Sequence, residues 1–196
     1  MWDNTVNQNT FTGPSFSVSN RLGRIMWTVV SGLFFRFSPQ PLYGFRSFLL
    51  RIFGARVGQR VHVYPKVKIW APWNLILGDE CGIADGVTLY SQGLITIGYR
   101  AVISQGAHLA AGTHDYTLPG FPLITKPIII KDHVWIAAEA FINPGIMIGE
   151  GCVIGARSVV TKDMPAWMVC AGHPCKPLKE RPNFAALEDK KTQSAK

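Results

Sequence analysis

Aliphatic residues recur at every sixth position through the middle of this 196-residue chain, a spacing that neither an ordinary helix nor a simple strand satisfies. The clearest series is Ile130, Ile136, Ile142, Ile148, Ile154 and Val160. The pattern begins at Val57, Val63, Ile69 and Leu75, resumes after a two-residue slip at Leu77, Ile83 and Leu89, and after a second slip at Ile97, Ile103 and Leu109. An amphipathic helix repeats at about 3.6 residues and a half-buried strand at about 2. A period of six fits a three-sided coil, with one short strand per side and one aliphatic side chain per strand turned inward. The countable repeats give about five coils, stacked at the spacing of paired strands. Small or β-branched residues such as Val61, Cys81, Ala101, Ala140 and Ser158 follow four positions later and are expected at the corners.

This reading divides the chain into residues 1–55, a polar arm with amphipathic helices; 56–172, the solenoid, interrupted by a loop at 110–127; and 173–196, a C-terminal extension whose end, from Leu187 to Lys196, reads as solvated tail. A solenoid exposes sheet edges at its ends and needs caps. Asn20 is expected to cap a helix running to about Phe37, with Leu22, Ile25, Met26, Val29, Val30, Leu33 and Phe34 along one face; a second helix is expected from Pro41 to Gly54. The fold class expected is therefore mainly β, a parallel β-helix with an N-terminal helical segment.

Hydrophobic residues make up 47% of the chain and charged ones 16%, which excludes general disorder. The net charge of +8 is concentrated: Arg21, Arg24, Arg36, Arg46, Arg51, Arg56 and Arg60 share the first sixty residues with a single acid, Asp3. Interleaved with Trp27, Phe34, Phe35, Phe37, Tyr43, Phe45, Phe48 and Phe53, they have the composition of an interfacial membrane helix, and peripheral contact with a membrane is expected through this segment. The longest apolar run there, 25–35, is too short to span a bilayer, which needs about 20 residues. No nucleic-acid-binding module is recognisable. Cys81, Cys152, Cys170 and Cys175 form no CxxC pair and read as reduced thiols, so the expected location is cytoplasmic, at the inner membrane surface.

The long break in the period, AAGTHDYTLPGFPLITKP, is where a solenoid can add binding groups without disturbing its stack, and His114 stands near its start. The segment GTHDY, followed by KPIIIKDHVWIAAEAFINPGIMIGEGCVIGARSVVTKDMPAWMVCAGHPCKPLKER, and the earlier PLYGFRSFLLRIFGARVG resemble the hexapeptide-repeat acetyltransferases, in particular the colanic-acid-type exopolysaccharide O-acetyltransferases. The resemblance covers roughly residues 20–182. It implies a left-handed coil, a homotrimer, acetyl-coenzyme A bound in a groove between subunits, and direct transfer to a sugar or lipid-linked saccharide with His114 as general base. Asp115 is a candidate to orient the imidazole or a substrate hydroxyl. Asp85 is a candidate substrate ligand, although the family's asparagine matches Ala84. Trp135 is expected to wall the site, on the substrate or the pantetheine side. Ala137 and Gly155 match backbone positions along the cofactor groove; Thr161, Lys162, Lys176 and Arg181 match positions near the coenzyme's nucleotide, where cations suit phosphates. No metal is expected.

Three other functions share parts of this pattern. An N-acetyltransferase acting on an amino sugar would use the same base. A γ-type carbonic anhydrase would need a zinc site, for which His108, His114 and His133 are the available histidines, without the five-residue offset those enzymes use. A non-enzymatic β-helical scaffold would have no use for GTHDY or the C-terminal lysines.

Overall fold

The computed structural model describes residues 13–184; the polar arm before them and the tail from Leu187 lie outside the described residues. From Arg56 onward the chain winds into a parallel β-helix with three faces. The first face stacks Arg56–Val57, Leu75–Leu77, Ile95–Ile97, Ile128–Ile130 and Met147–Ile148. The second stacks His62–Val63, Gly82–Ile83, Val102–Ile103, Trp135–Ile136 and Val153–Ile154, and the third Lys68–Ile69, Thr88–Tyr90, His108–Ala110, Phe141–Ile142 and Val159–Val160. Each face thus carries five stacked strands of the coil, as the recurrence predicts.

The register accounts for the period and for its slips. Val57 lies beside Leu77, Leu77 beside Ile97, and Ile97 beside Ile130, so the inward aliphatics form continuous columns. The two extra residues of each early coil are taken up at the corner after the third face. There Asn74 Nδ2 donates to the carbonyls of Ser91 and Gln92, each at 2.9 Å, and Ser91 Oγ donates to Ala71 O at 2.9 Å. These side chains satisfy backbone groups that a longer corner takes out of the ladder. The residues expected only as corner fillers do more than turn the chain. Val61, Cys81, Ala101, Val134 and Cys152 are buried as deeply as the periodic aliphatics, so each strand turns two residues inward.

Two helices close the N-terminal end: α1 at Val18–Val30, continued by a π-helical turn at Ser31–Phe35, and α2 at Tyr43–Ile52. The cap of α1 is Ser17, whose hydroxyl accepts from the Asn20 N–H; Asn20 itself is buried inside the helix, one turn later than a cap can stand. The first coil donates its N–H groups onward to the second, as in Gly58 N–H to Leu77 O and Tyr64 N–H to Ile83 O, so its carbonyls point outward at the end of the rod. One donor meets each face: Arg51 on Val57 O at 2.9 Å, Arg46 on Val63 O at 2.6 Å and Trp27 Nε1 on Ile69 O at 2.8 Å. Arg46 also holds Ser38 Oγ and the carbonyls of Pro39 and Gln40, and is wholly buried. The N-terminal basic excess is therefore partly structural, and Arg46 presents no charge to a partner.

At the other end Met168–Gly172 extends the second face in parallel and Cys175–Glu180 returns antiparallel beside it. That outer strand carries Lys176, Pro177 and Lys179, residues that discourage further strand pairing. No helix among the described residues is long and apolar enough to cross a membrane.

Candidate active site

The long break in the period forms an antiparallel hairpin, Gly112–His114 against Leu123–Thr125, at the corner between the third and first faces. Its foot is packed tightly. A side chain at Gly112 would run into the Gln92 amide, and one at Gly93 would strike the Ala111 carbonyl. Gln92 Nε2 donates to the Tyr90 hydroxyl at 2.8 Å, while Gln92 Oε1 is buried without a partner among the described residues. Leu123 and Pro122 bury the returning strand, leaving His114 exposed on the outgoing one.

His114 Nδ1 lies 2.6 Å from the carbonyl oxygen of Phe121 across the hairpin. A carbonyl can only accept, so Nδ1 carries the proton and Nε2 is the nitrogen left with a lone pair. The imidazole is thereby fixed in the tautomer and orientation that a base acting through Nε2 requires. Asp115 does not share in this contact: its carboxylate accepts from the Thr117 N–H at 3.0 Å and the Thr117 hydroxyl at 2.6 Å. Those two bonds hold its pKa below the usual carboxylate range. The orienting group is a backbone carbonyl, which no residue type announces; only the PGF turn, which brings the chain back opposite His114, hints at it.

The other expected site residues stand elsewhere on the prism. Trp135 is half-exposed on the second face, its Nε1 donating to Ser104 Oγ at 2.9 Å. With Arg100, His133, Arg181 and Phe184 it lines a groove of about 390 Å³. Asp85 sits farther toward the N-terminal end of that face, beside a groove of about 350 Å³ with His62, Tyr64 and Gln105, and its carboxylate accepts the Lys66 N–H at 2.9 Å. A larger cavity of about 650 Å³, between α2 and the first coil, contains none of the expected residues.

Ala137 and Gly155 occupy successive coils at the corner after the second face. Their N–H groups are spent on the ladder, Ala137 on Ile154 O at 2.9 Å and Gly155 on Cys170 O at 2.8 Å. Neither N–H is left to receive a ligand. Lys176 is exposed on the outer C-terminal strand opposite Ala171, whose side chain approaches Gly155, so the hairpin brings Lys176 and Gly155 to one region. Thr161 and Lys162 are exposed just beyond the last strand of the third face. Arg181 donates through Nη1 to His133 O at 3.0 Å and Gly151 O at 2.8 Å, and its guanidinium lies over the Phe184 ring.

The three histidines that a zinc enzyme would need stand apart. His108 stacks on Phe141 on the third face, His133 packs edge-on to Tyr99 and Phe184 at the corner between the first and second faces, and His114 is on the hairpin. Among the described residues no three His, Cys, Asp or Glu side chains cluster closely enough to hold a metal. All four cysteines are free and buried, and burial pushes the Cys81 thiol up to about 12 and the Cys175 thiol to about 11. None of them is a thiolate nucleophile at neutral pH.

Residues 127–162 match the family model described as bacterial transferase hexapeptide (six repeats). Over 166 residues the chain is 45% identical to WcaF of Escherichia coli (strain K12), a protein named for acetyl transfer in colanic acid biosynthesis, covering 85% of this chain and 91% of that one. It is 31% identical over 156 residues to the galactoside O-acetyltransferase of Escherichia coli (strain K12), covering 76% of this chain and 77% of that one. The crystal structure of a hexapeptide-repeat-containing acetyltransferase from Vibrio cholerae O1 biovar eltor, complexed with acetyl coenzyme A, superposes with a TM-score of 0.79 at 25% identity over 92% of this chain and 97% of that one. The coil, the hairpin that interrupts it and these likenesses agree, and the chain belongs to the hexapeptide-repeat acetyltransferases.

Proposed function

We propose that this chain transfers the acetyl group of acetyl-coenzyme A to a hydroxyl of a sugar or exopolysaccharide precursor, with His114 Nε2 as general base. The observation that carries this reading is the bond between His114 Nδ1 and the Phe121 carbonyl, which leaves Nε2 to take a proton. The hydroxyl proton passes to Nε2 as the oxygen attacks the thioester carbonyl; the tetrahedral intermediate then expels the coenzyme thiolate, which takes the proton back from the imidazolium. The Phe121 carbonyl stabilises the imidazolium while it lasts. General-base assistance of this kind is worth about 10² to 10⁴ in rate. With every thiol buried, direct transfer needs no acyl-cysteine.

The geometry also supports a site shared between copies of the chain, and the assembly we propose is the homotrimer that the resemblance implies. The hairpin bearing His114 leaves the corner between the third and first faces, whereas Trp135 is on the second face, on the opposite side of the prism. These groups cannot meet within one chain, so a site containing both is built between copies. The likeness to the Vibrio cholerae structure supports acetyl-coenzyme A as the donor, and among the expected cofactor residues Lys162 and Lys176 are exposed cations that suit its phosphates. Peripheral attachment to the inner membrane would place the base near lipid-linked saccharides.

Replacing His114 by Ala tests the base. Acetyl-coenzyme A consumption, followed by thiol release in the presence of lipid-linked, nucleotide and amino sugars, is expected to fall by about 10² to 10⁴ while assembly and coenzyme binding persist. Undiminished turnover would refute the role of His114, and preferential turnover of an amino sugar would make the reaction N-acetylation.

A further inference from the structure

Helix α1 is mounted with its apolar side outward. Its buried residues are Asn20, Gly23 and Trp27, whereas Val18, Leu22, Ile25, Met26 and Val29 are each more than half exposed. At 3.6 residues per turn these five fall within an arc of about 100°, on the side away from Trp27. The π-helical turn that follows carries Phe35 round to the Trp27 ring, with ring centroids 5.6 Å apart, and leaves Leu33 and Phe34 exposed. Phe37 beyond it is 81% exposed, and α2 adds the exposed Phe48 and Ile52. An apolar helix face left uncovered in this way marks an interaction site.

The surrounding charge selects the occupant. No Asp or Glu occurs from residue 13 to residue 78. Arg21, Arg36 and Arg56 are exposed and have no carboxylate partner among the described residues. A second copy docking through this face would set cations against cations. A nucleic acid would meet the arginines and leave the stripe in water. An anionic bilayer accepts both, taking the aliphatic side chains into the acyl boundary and the guanidinium groups at the headgroups. No helix among the described residues is long and apolar enough to cross a membrane, and the arginines interrupt this one, so α1 and its extension would lie in the plane of the surface.

We infer that the exposed face of α1 and its π-helical extension is a docking surface for an anionic lipid bilayer. The inference stands on the orientation of the helix and on the arginines, and is independent of the acetyl-transfer reading.

The test is flotation of the full chain with vesicles of phosphatidylcholine containing phosphatidylglycerol, against vesicles of phosphatidylcholine alone, with light scattering for assembly and the acetyl-transfer assay run in parallel on a soluble sugar acceptor. Binding is expected to the anionic vesicles, to fall several-fold in the double variant Ile25→Asp, Val29→Asp and in Arg21→Gln, Arg36→Gln, and to weaken at high salt. Both variants are expected to keep the thermal transition and the assembly state, because the replaced side chains touch no core. Absence of binding to anionic vesicles, or equal binding by wild type and both variants, would overturn the inference. So would loss of assembly in the double Asp variant, since the stripe would then be covered by another copy. An inactive protein that still floats would count against acetyl transfer alone.

Discussion

The solenoid and the helix that closes it use the same aliphatic residues to opposite ends. Ile83, Ile103, Ile136 and Ile154 on the second face are fully buried, whereas Ile25 on α1 is 61% exposed, as are its aliphatic neighbours to similar degrees. In the solenoid each inward residue is sandwiched between the same position of the coil before and the coil after, so repetition forces burial. The helix has no such neighbours. It is anchored through Trp27 on the Ile69 carbonyl, while Arg46 and Arg51 of the neighbouring α2 satisfy the other two carbonyls of the first coil. An apolar stripe is therefore not by itself a statement about a core; the partner on which it lies decides.

The contrast can be broken most directly by truncating matched isoleucines. Ile103→Ala removes a side chain from the middle of a packed column and is expected to cost about 4 kcal/mol in urea denaturation. A cost below about 1 kcal/mol would mean that the columns tolerate voids and that repetition does not enforce packing. Arg46→Met keeps the bulk of the side chain but strips donors from Val63 O, Pro39 O and Gln40 O, and about 3 kcal/mol is expected from the buried acceptors left unpaired. A negligible loss would assign the anchoring of the helical end to packing alone. At the small end, Ile25→Ala is expected to change stability by less than about 0.5 kcal/mol, as exposed substitutions do. If it cost as much as Ile103→Ala, the stripe would be covered in the assembled protein.

Most of the solenoid was legible because its register is written in sequence spacing. Leu77, Ile97 and Ile130 announce themselves as one column by type and by their distance from the preceding break, and even the slips correspond to a physical feature, the enlarged corner tied by Asn74 and Ser91. His114 was legible because it sits in the single long interruption. What escaped was the set of contacts made by backbone atoms or by residues whose type suggests another role. The Phe121 carbonyl that orients the imidazole has no signature, Asn20 looks like a cap but lies a turn inside the helix, and nothing in the type of Arg181 announces that its Nη1 ties His133 O to Gly151 O.

The sequence by itself determined that the chain coils in three-sided turns, where the coil pauses, and which imidazole stands at the pause, because these follow from which residues must avoid water at a fixed period. The tertiary structure alone decided which side of α1 meets the rod, which arginines are spent as caps, and that His114 and Trp135 stand on opposite sides of the prism. Those outcomes depend on unpaired carbonyls at the end of a stack and on the angle between faces, and neither exists until the coils have been laid one upon another.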